Sequence, residues 1–171
     1  MKIVLLGYMA SGKSTIGKEI SKKLYMKFID LDDYISEREK TTVSEIFRVK
    51  GEIYFRRIES TYLSEILNSK EDFVLSLGGG TPCYGNNMEL IQQADVKSVY
   101  IKASIKTLVT RLIKEKHKRP LVADLENGQI TEFVAKHLFE RRFFYEQATI
   151  TMDTDNKSIA VIIAETRIAL Y

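Results

Sequence analysis

The chain has 171 residues, enough for one domain with a sizeable core. Hydrophobic residues make up 44% and charged residues 29%, a globular balance that excludes disordered and fibrous classes. A net charge of +3 suits a protein that handles small anions and is too weak to mark a nucleic-acid binder. Cys83 is the only cysteine, which rules out an intrachain disulfide and points to a reducing compartment. The apolar run after Lys2 ends at Gly7, too short for a signal peptide, and no stretch approaches the roughly 20 apolar residues of a membrane span. The expectation is a cytoplasmic single domain over residues 1–171 that binds neither nucleic acid nor membrane.

In chain order, Ile3 to Leu6 reads as a buried strand and Lys13 to Leu24 as a helix, with Ile16, Ile20 and Leu24 on one face. Phe28 to Leu31 is a second strand. Thr42 and Glu45 have capping-box spacing and open a long helix towards Leu67. Phe73 to Leu77 is a third strand, ended by Gly78, Gly79 and Gly80, and Asn87 to Gln93 a short helix. Val96 to Ile101 is a fourth strand, followed by a helix from Ser104 to about Lys114 and a polar, turn-rich segment over 116–128. A helix from Ile130 to Tyr145, a strand from Thr149 to Met152 and a closing helix from Ser158 to Ala169 complete the chain. Strands alternating with helices imply a five-stranded parallel sheet in a three-layer α/β/α domain. Ligands on such sheets bind beyond the carboxyl ends of the strands, which gathers residues 7–14, 30–33 and 78–80 along one edge.

The stretch GYMASGKST matches the phosphate-binding pattern GxxxxGK[ST] at Gly7, Gly12, Lys13 and Ser14. Glycines let the backbone curl so that N–H groups point at phosphate oxygens, and the helix that follows adds its positive end. The cradle is expected to run through Ala10, Ser11 and Thr15 as well and to bind ATP. Lys13 can reach the β and γ phosphates, and the Ser14 hydroxyl can bind Mg²⁺, a hard cation that prefers oxygen.

Kinases with this cradle often hold Mg²⁺ through an aspartate that ends a second apolar strand. The third strand offers Ser76 and no acid, whereas the second ends in Asp30, Asp32 and Asp33. If that strand continues, Asp30 and Asp32 share a side, and two carboxylates suit a metal and an acceptor hydroxyl. The same acids could instead open the next helix. Gly78, Gly79 and Gly80 read either as a tight turn or as a place where a substrate touches backbone. Segment 116–128 is the candidate lid, and Arg119 within it can stabilise charge on a transferring phosphoryl group, while His117 and the neighbouring lysines read as a solvated helix end. Arginine's planar fork suits a carboxylate, but spacing alone reads FRRIE (55–59) and ERRFFYEQA (140–148) as surface ion-pair ladders.

Together these pieces resemble the shikimate kinases, over nearly the whole chain and in order: GYMASGKSTIGKEISKKL, FIDLDDYI, SEIFRVKGEIYFRRIES, SLGGGTP, RPLV and ERRFFYEQA. The resemblance implies a P-loop kinase fold and transfer of the γ-phosphate of ATP to the 3-hydroxyl of shikimate. It implies Asp32 at the acceptor hydroxyl, Arg56 and Arg141 on the shikimate carboxylate, Glu59 orienting Arg56, and Gly78, Gly79 and Gly80 lining the pocket. Asp30 and Ser14 would hold Mg²⁺, Lys13 and Arg119 would neutralise the phosphates, Arg111 would stack on adenine, and the enzyme would be a monomer. Phe143 stands where the family often has proline, which leaves Arg142 as an alternative to Arg141. Ala10 stands where glycine is usual. The rivals are a gluconate kinase, whose acceptor is also a polyhydroxylated carboxylate, and a non-catalytic ATP-binding module. The FRxxE pattern and the glycine run favour shikimate over gluconate, and Lys13, Asp32 and Arg119 argue against a module without catalysis.

Overall fold

The computed structural model describes residues 1–118 and 120–171. Five strands form one parallel sheet: β1 (Lys2–Leu6), β2 (Lys27–Asp30), β3 (Phe73–Ser76), β4 (Lys97–Lys102) and β5 (Ile150–Asp153), in the order β2-β3-β1-β4-β5. The central strand β1 is apolar on both faces because helices cover both. Ile3 and Leu5 pack with Ile16 and Ile20 of α1 (Lys13–Leu24) and with Ile162 and Ile163 of α8 (Ile159–Leu170). Val4 and Leu6 face the other way, into a core with Ile35 of α2 (Leu31–Glu39), Leu63 of α3 (Val43–Leu67), Leu108 of α5 (Ile105–Lys114) and Val134 of α7 (Asn127–Tyr145). The strand's period of two thus sorts its side chains into two cores, one per layer. The short α4 (Asn87–Gln93) adds Met88 and Ile91 to the second core. Among the described residues no helix is long and apolar enough to cross a membrane.

Three expectations from the sequence are corrected. The second strand stops at Asp30, because Leu31 already begins α2. Asp30 caps that helix through its side chain, accepting from the Asp32 N–H, and Asp32 and Asp33 lie in the first turn. Asp32 therefore reaches the ligand edge from a helix start and not from an extended strand. The long helix is α3, but it breaks at Gly51, whose φ of 80° and ψ of 171° are not helical. A Cβ at Gly51 would meet nothing within 4 Å, so glycine is needed there for its backbone angle and not for space. Half-buried Glu39 ties α2 to the part of α3 beyond the break, accepting from Tyr54 Oη and Tyr62 Oη, each at 2.9 Å. Among the described residues, the segment 116–128 contains a 3₁₀ turn (Lys116–Lys118) and α6 (Pro120–Ala123), and α7 starts at Asn127, ahead of Ile130. Val122 is buried, and Leu125 packs against the core.

Candidate active site

The loop between β1 and α1 builds a phosphate cradle. Gly7 has φ of 144°, and a Cβ there would lie 2.6 Å from the Ile101 carbonyl oxygen, so only glycine lets the loop pass the end of β4. Ala10 adopts φ of 61°, a left-handed angle that accounts for the glycine usual at this place. Lys13 is buried and lies across the loop, its Nζ donating to the carbonyls of Gly7 (2.8 Å) and Tyr8 (2.9 Å). Arg111 of α5 braces the same loop, its Nη1 donating to the carbonyls of Ala10 (3.1 Å) and Ser11 (3.0 Å). The buried Ser11 hydroxyl has no hydrogen-bond partner among the described residues, which marks a place prepared for an outside group.

Beside the cradle, Ser14 Oγ donates to Asp30 Oδ2 at 2.9 Å and lies 3.3 Å from Ser76 Oγ. No cluster of three or more His, Cys, Asp or Glu suited to a metal exists among the described residues. Mg²⁺ does not require one, since it keeps several waters and takes one or two protein oxygens plus substrate phosphates. A hydroxyl and a carboxylate oxygen side by side at the cradle fit that pattern. The nearby Asp32 carboxyl has its pKa pushed up from 3.8 to about 6. Burial is the largest cause, followed by repulsion from Asp30 and Glu59, with Lys13 partly offsetting them.

The three glycines after β3 touch three different parts of the site. A Cβ on Gly78 would lie 3.5 Å from Asp32 Oδ1 and 3.6 Å from Glu59 Oε1. One on Gly79 would lie 3.2 Å from the Met9 nitrogen of the cradle, and one on Gly80 only 2.9 Å from Arg56 Nη2. Arg56 is not the surface rung that spacing suggests, because its side chain is 19% exposed. Its Nη1 donates to Glu59 Oε2 at 2.9 Å, and Glu59, fully buried, also accepts from Thr81 Oγ1 at 2.7 Å. Arg141 of α7 stands 5.8 Å from the Tyr8 ring centre and faces Cys83 and Tyr145, with the Tyr145 hydroxyl donating to the Gly79 carbonyl. Arg142 points away into solvent, 3.8 Å from Glu146, and is the surface rung. The geometry thus brings Arg56 to the glycine run, places Arg141 beside Tyr8, Cys83 and Tyr145, and leaves Arg142 at the surface.

A cleft of about 510 Å³ joins Ser11 to Thr15, Asp30, Asp32, Gly78 and Gly79 to a further wall made by Arg111, Glu115, Thr154, Lys157 and Ile159. Lys157, between β5 and α8, and Ile159, which opens α8, do not stand out in the sequence. Arg119, expected to act on the phosphates, lies outside the described residues.

A parallel sheet of this order, with a GKS cradle at the end of its central strand and a carboxylate beside it, defines a P-loop phosphotransferase. A family model described as shikimate kinase matches residues 9–170. A shikimate kinase of Flavobacterium psychrophilum is 50% identical over 170 residues, covering 99% of each chain. Among solved structures, shikimate kinase from Bacteroides thetaiotaomicron superposes with a TM-score of 0.92 at 36% identity, covering 99% of this chain and 98% of that one. Shikimate kinase from Acinetobacter baumannii in complex with shikimate gives 0.84 at 26% identity, covering 99% and 92%. The chain belongs to the shikimate kinase family, a family of ATP-dependent phosphotransferases.

Proposed function

We propose that this protein transfers the γ-phosphoryl group of ATP to the 3-hydroxyl of shikimate, giving shikimate 3-phosphate and ADP in aromatic amino-acid biosynthesis. The observation that carries the assignment of residues is the glycine run: within three residues it passes Asp32, the cradle and Arg56. A small acceptor lying on that bare backbone can present a hydroxyl to Asp32 and a carboxylate to Arg56 and Arg141.

ATP lies in the cleft with its phosphates on the N–H groups of the loop from Gly7 through Ala10, Ser11 and Gly12 to Lys13, Ser14 and Thr15. Lys13 exchanges its carbonyl partners for phosphate oxygens, and Arg111 holds the loop in shape. Asp32 accepts a hydrogen bond from the acceptor hydroxyl and aligns its oxygen with the γ-phosphorus. The new O–P bond forms as the bond to the β-phosphate oxygen breaks, ADP leaves, and the hydroxyl proton passes late to Asp32 and on to solvent. Charge spreads over the transferring oxygens in a loose transition state, so positioning and neutralisation dominate over proton removal. Ser14 and Asp30 would hold Mg²⁺, which supplies neutralisation of the phosphate charge when bound. Glu59 keeps Arg56 oriented, and Arg56 and Arg141 bind the acceptor's carboxylate. Segment 116–128 closes over the nucleotide as a lid and brings in Arg119. The enzyme acts as a cytoplasmic monomer on these two small molecules; its single cysteine suits a reducing compartment.

The test is ADP release with ATP and Mg²⁺ in the presence of shikimate or gluconate. Turnover with shikimate and not gluconate is expected, and Asp32→Asn should bind ATP normally yet lose transfer. Turnover that ignores shikimate would reject the acceptor.

A further inference from the structure

The Arg56 guanidinium is hemmed in on three sides. Nη1 donates to Glu59, the Gly80 backbone lies close to Nη2, and the Tyr84 ring centre stands 3.8 Å from Cζ, stacked over the guanidinium. The remaining edge carries Nε, which is buried and makes no hydrogen bond among the described residues. Glu52 forms an ion pair on that edge, its Oε1 3.5 Å from Nε, without the geometry of a hydrogen bond. The same Glu52 oxygen accepts from Tyr84 Oη at 2.9 Å.

The two glutamates differ in freedom. Glu59 is 1% exposed and fixed by Thr81 as well as Arg56, so it cannot leave. Glu52 is 54% exposed, one turn before Arg56 on α3, and can swing. A closing Glu52 would gain a charge-assisted hydrogen bond to Nε, and its charge would then compete with an arriving carboxylate for the guanidinium. What stands between Glu52 and that bond is the Tyr84 hydroxyl.

We propose that Tyr84 is a positioning residue for Arg56: its ring fixes the plane of the guanidinium, and its hydroxyl holds Glu52 in a loose ion pair, short of a hydrogen bond to Nε, so that the guanidinium charge stays available to the carboxylate of the acceptor. This role rests on the placement of Arg56 in the acceptor site proposed above. The sequence gives no hint of it, because Tyr84 follows the glycine run in a turn and meets α3 only in the folded chain.

The test is steady-state kinetics on the full-length enzyme, with shikimate and ATP varied in turn. Tyr84→Phe keeps the ring and frees Glu52, so the KM for shikimate should rise roughly tenfold, the lower end of what one charge-assisted hydrogen bond contributes. The KM for ATP and the melting temperature should not move. Glu52→Gln placed in the Tyr84→Phe background should bring the shikimate KM back to within about twofold of wild type, because an uncharged amide competes poorly for Nε. Tyr84→Leu should raise the KM further and resist that rescue, since the plane is no longer held. An unchanged KM in Tyr84→Phe, or a raised KM that Glu52→Gln fails to restore, overturns the role. Arg56→Lys, measured alongside, separates two failures. If it leaves the shikimate KM unchanged, the placement of Arg56 itself is wrong; if it raises the KM while Tyr84→Phe does not, only the role of Tyr84 falls.

Discussion

Asp30 uses its two carboxylate oxygens for two different purposes. Oδ2 accepts from Ser14 Oγ at 2.9 Å, and Oδ1 accepts from the Asp32 N–H at 3.2 Å. One side chain therefore joins the helix behind the phosphate cradle to the helix that carries Asp32. Strand β2 ends where it does because this residue must cap α2 and face Ser14 at once.

That double use makes Asp30→Asn an informative substitution. Asparagine caps helices as well as aspartate, so α2 should stay in place. The charge facing Ser14 is lost. The expected outcome is a rise of about 10- to 100-fold in the Mg²⁺ concentration that half-saturates turnover, with much of kcat recovered at high Mg²⁺. Rates measured against free Mg²⁺ check this, and an unshifted midpoint would remove Asp30 from the metal site.

Asp32 should cost stability at neutral pH. Its carboxyl is raised from 3.8 to about 6 in the folded chain, chiefly by burial and then by Asp30 and Glu59. Between those values the folded state binds more protons than the unfolded state, so stability falls as pH rises through the window and stays lower above it. Asp32→Asn removes the buried charge. The enzyme without nucleotide or metal should gain at most about 2–3 kcal/mol at pH 8, on the order of 5 °C in Tm, and should gain nothing near pH 3. Melting curves at the two pH values decide it; a gain equal at both would mean that packing and not ionisation is responsible.

Much of the architecture was legible in the sequence because local signals agreed. Lys13–Leu24 is bounded as expected, since Gly12 ends the loop and Ile16 and Ile20 mark one buried face. Helix α2 reads in the sequence only as an alternative to a longer strand, because only Leu31 and Ile35 are buried in it and Leu31 prolongs the apolar run of the strand before it. In the site, the cradle was legible because its residues are contiguous. Arg56 and Glu59 are three apart, a spacing shared by exposed rungs such as Glu45 and Arg48, and nothing in the spacing reveals that Gly80 and Tyr84 close over one pair and not the other. Thr154 and Lys157 reach the cleft only because β5 lies beside β4 at the sheet edge, a tertiary fact.

Gly80→Ala tests whether the bare backbone exists to make room for Arg56. The residue has φ of −88°, which alanine adopts without strain. The added Cβ would lie 2.9 Å from Nη2 and 3.3 Å from Nη1 of Arg56. The guanidinium cannot yield without leaving Glu59 or the Tyr84 ring. The KM for shikimate should rise about tenfold, by the loss of one charge-assisted contact, while the KM for ATP stays within about twofold. Kinetics with each substrate varied in turn would expose an error: a matching rise in the KM for ATP places the damage in the cradle, through Gly79 and Met9.

Arg111 separates two ways of binding a nucleotide. Resemblance suggests stacking on adenine, whereas its Nη1 is committed to the carbonyls of Ala10 and Ser11. If bracing the loop is its main work, Arg111→Met lets the cradle relax, and every ligand that uses the cradle suffers alike. Calorimetric titration with ATP and with inorganic tripolyphosphate distinguishes the two. Both affinities should fall together, by about tenfold or more, since each lost charged hydrogen bond contributes about 1.5–3 kcal/mol. A loss confined to ATP would show that the guanidinium serves the base. The geometry favours a common loss, because the same Nη1 that would have to leave the loop for adenine is the only described link between α5 and the two carbonyls that shape it.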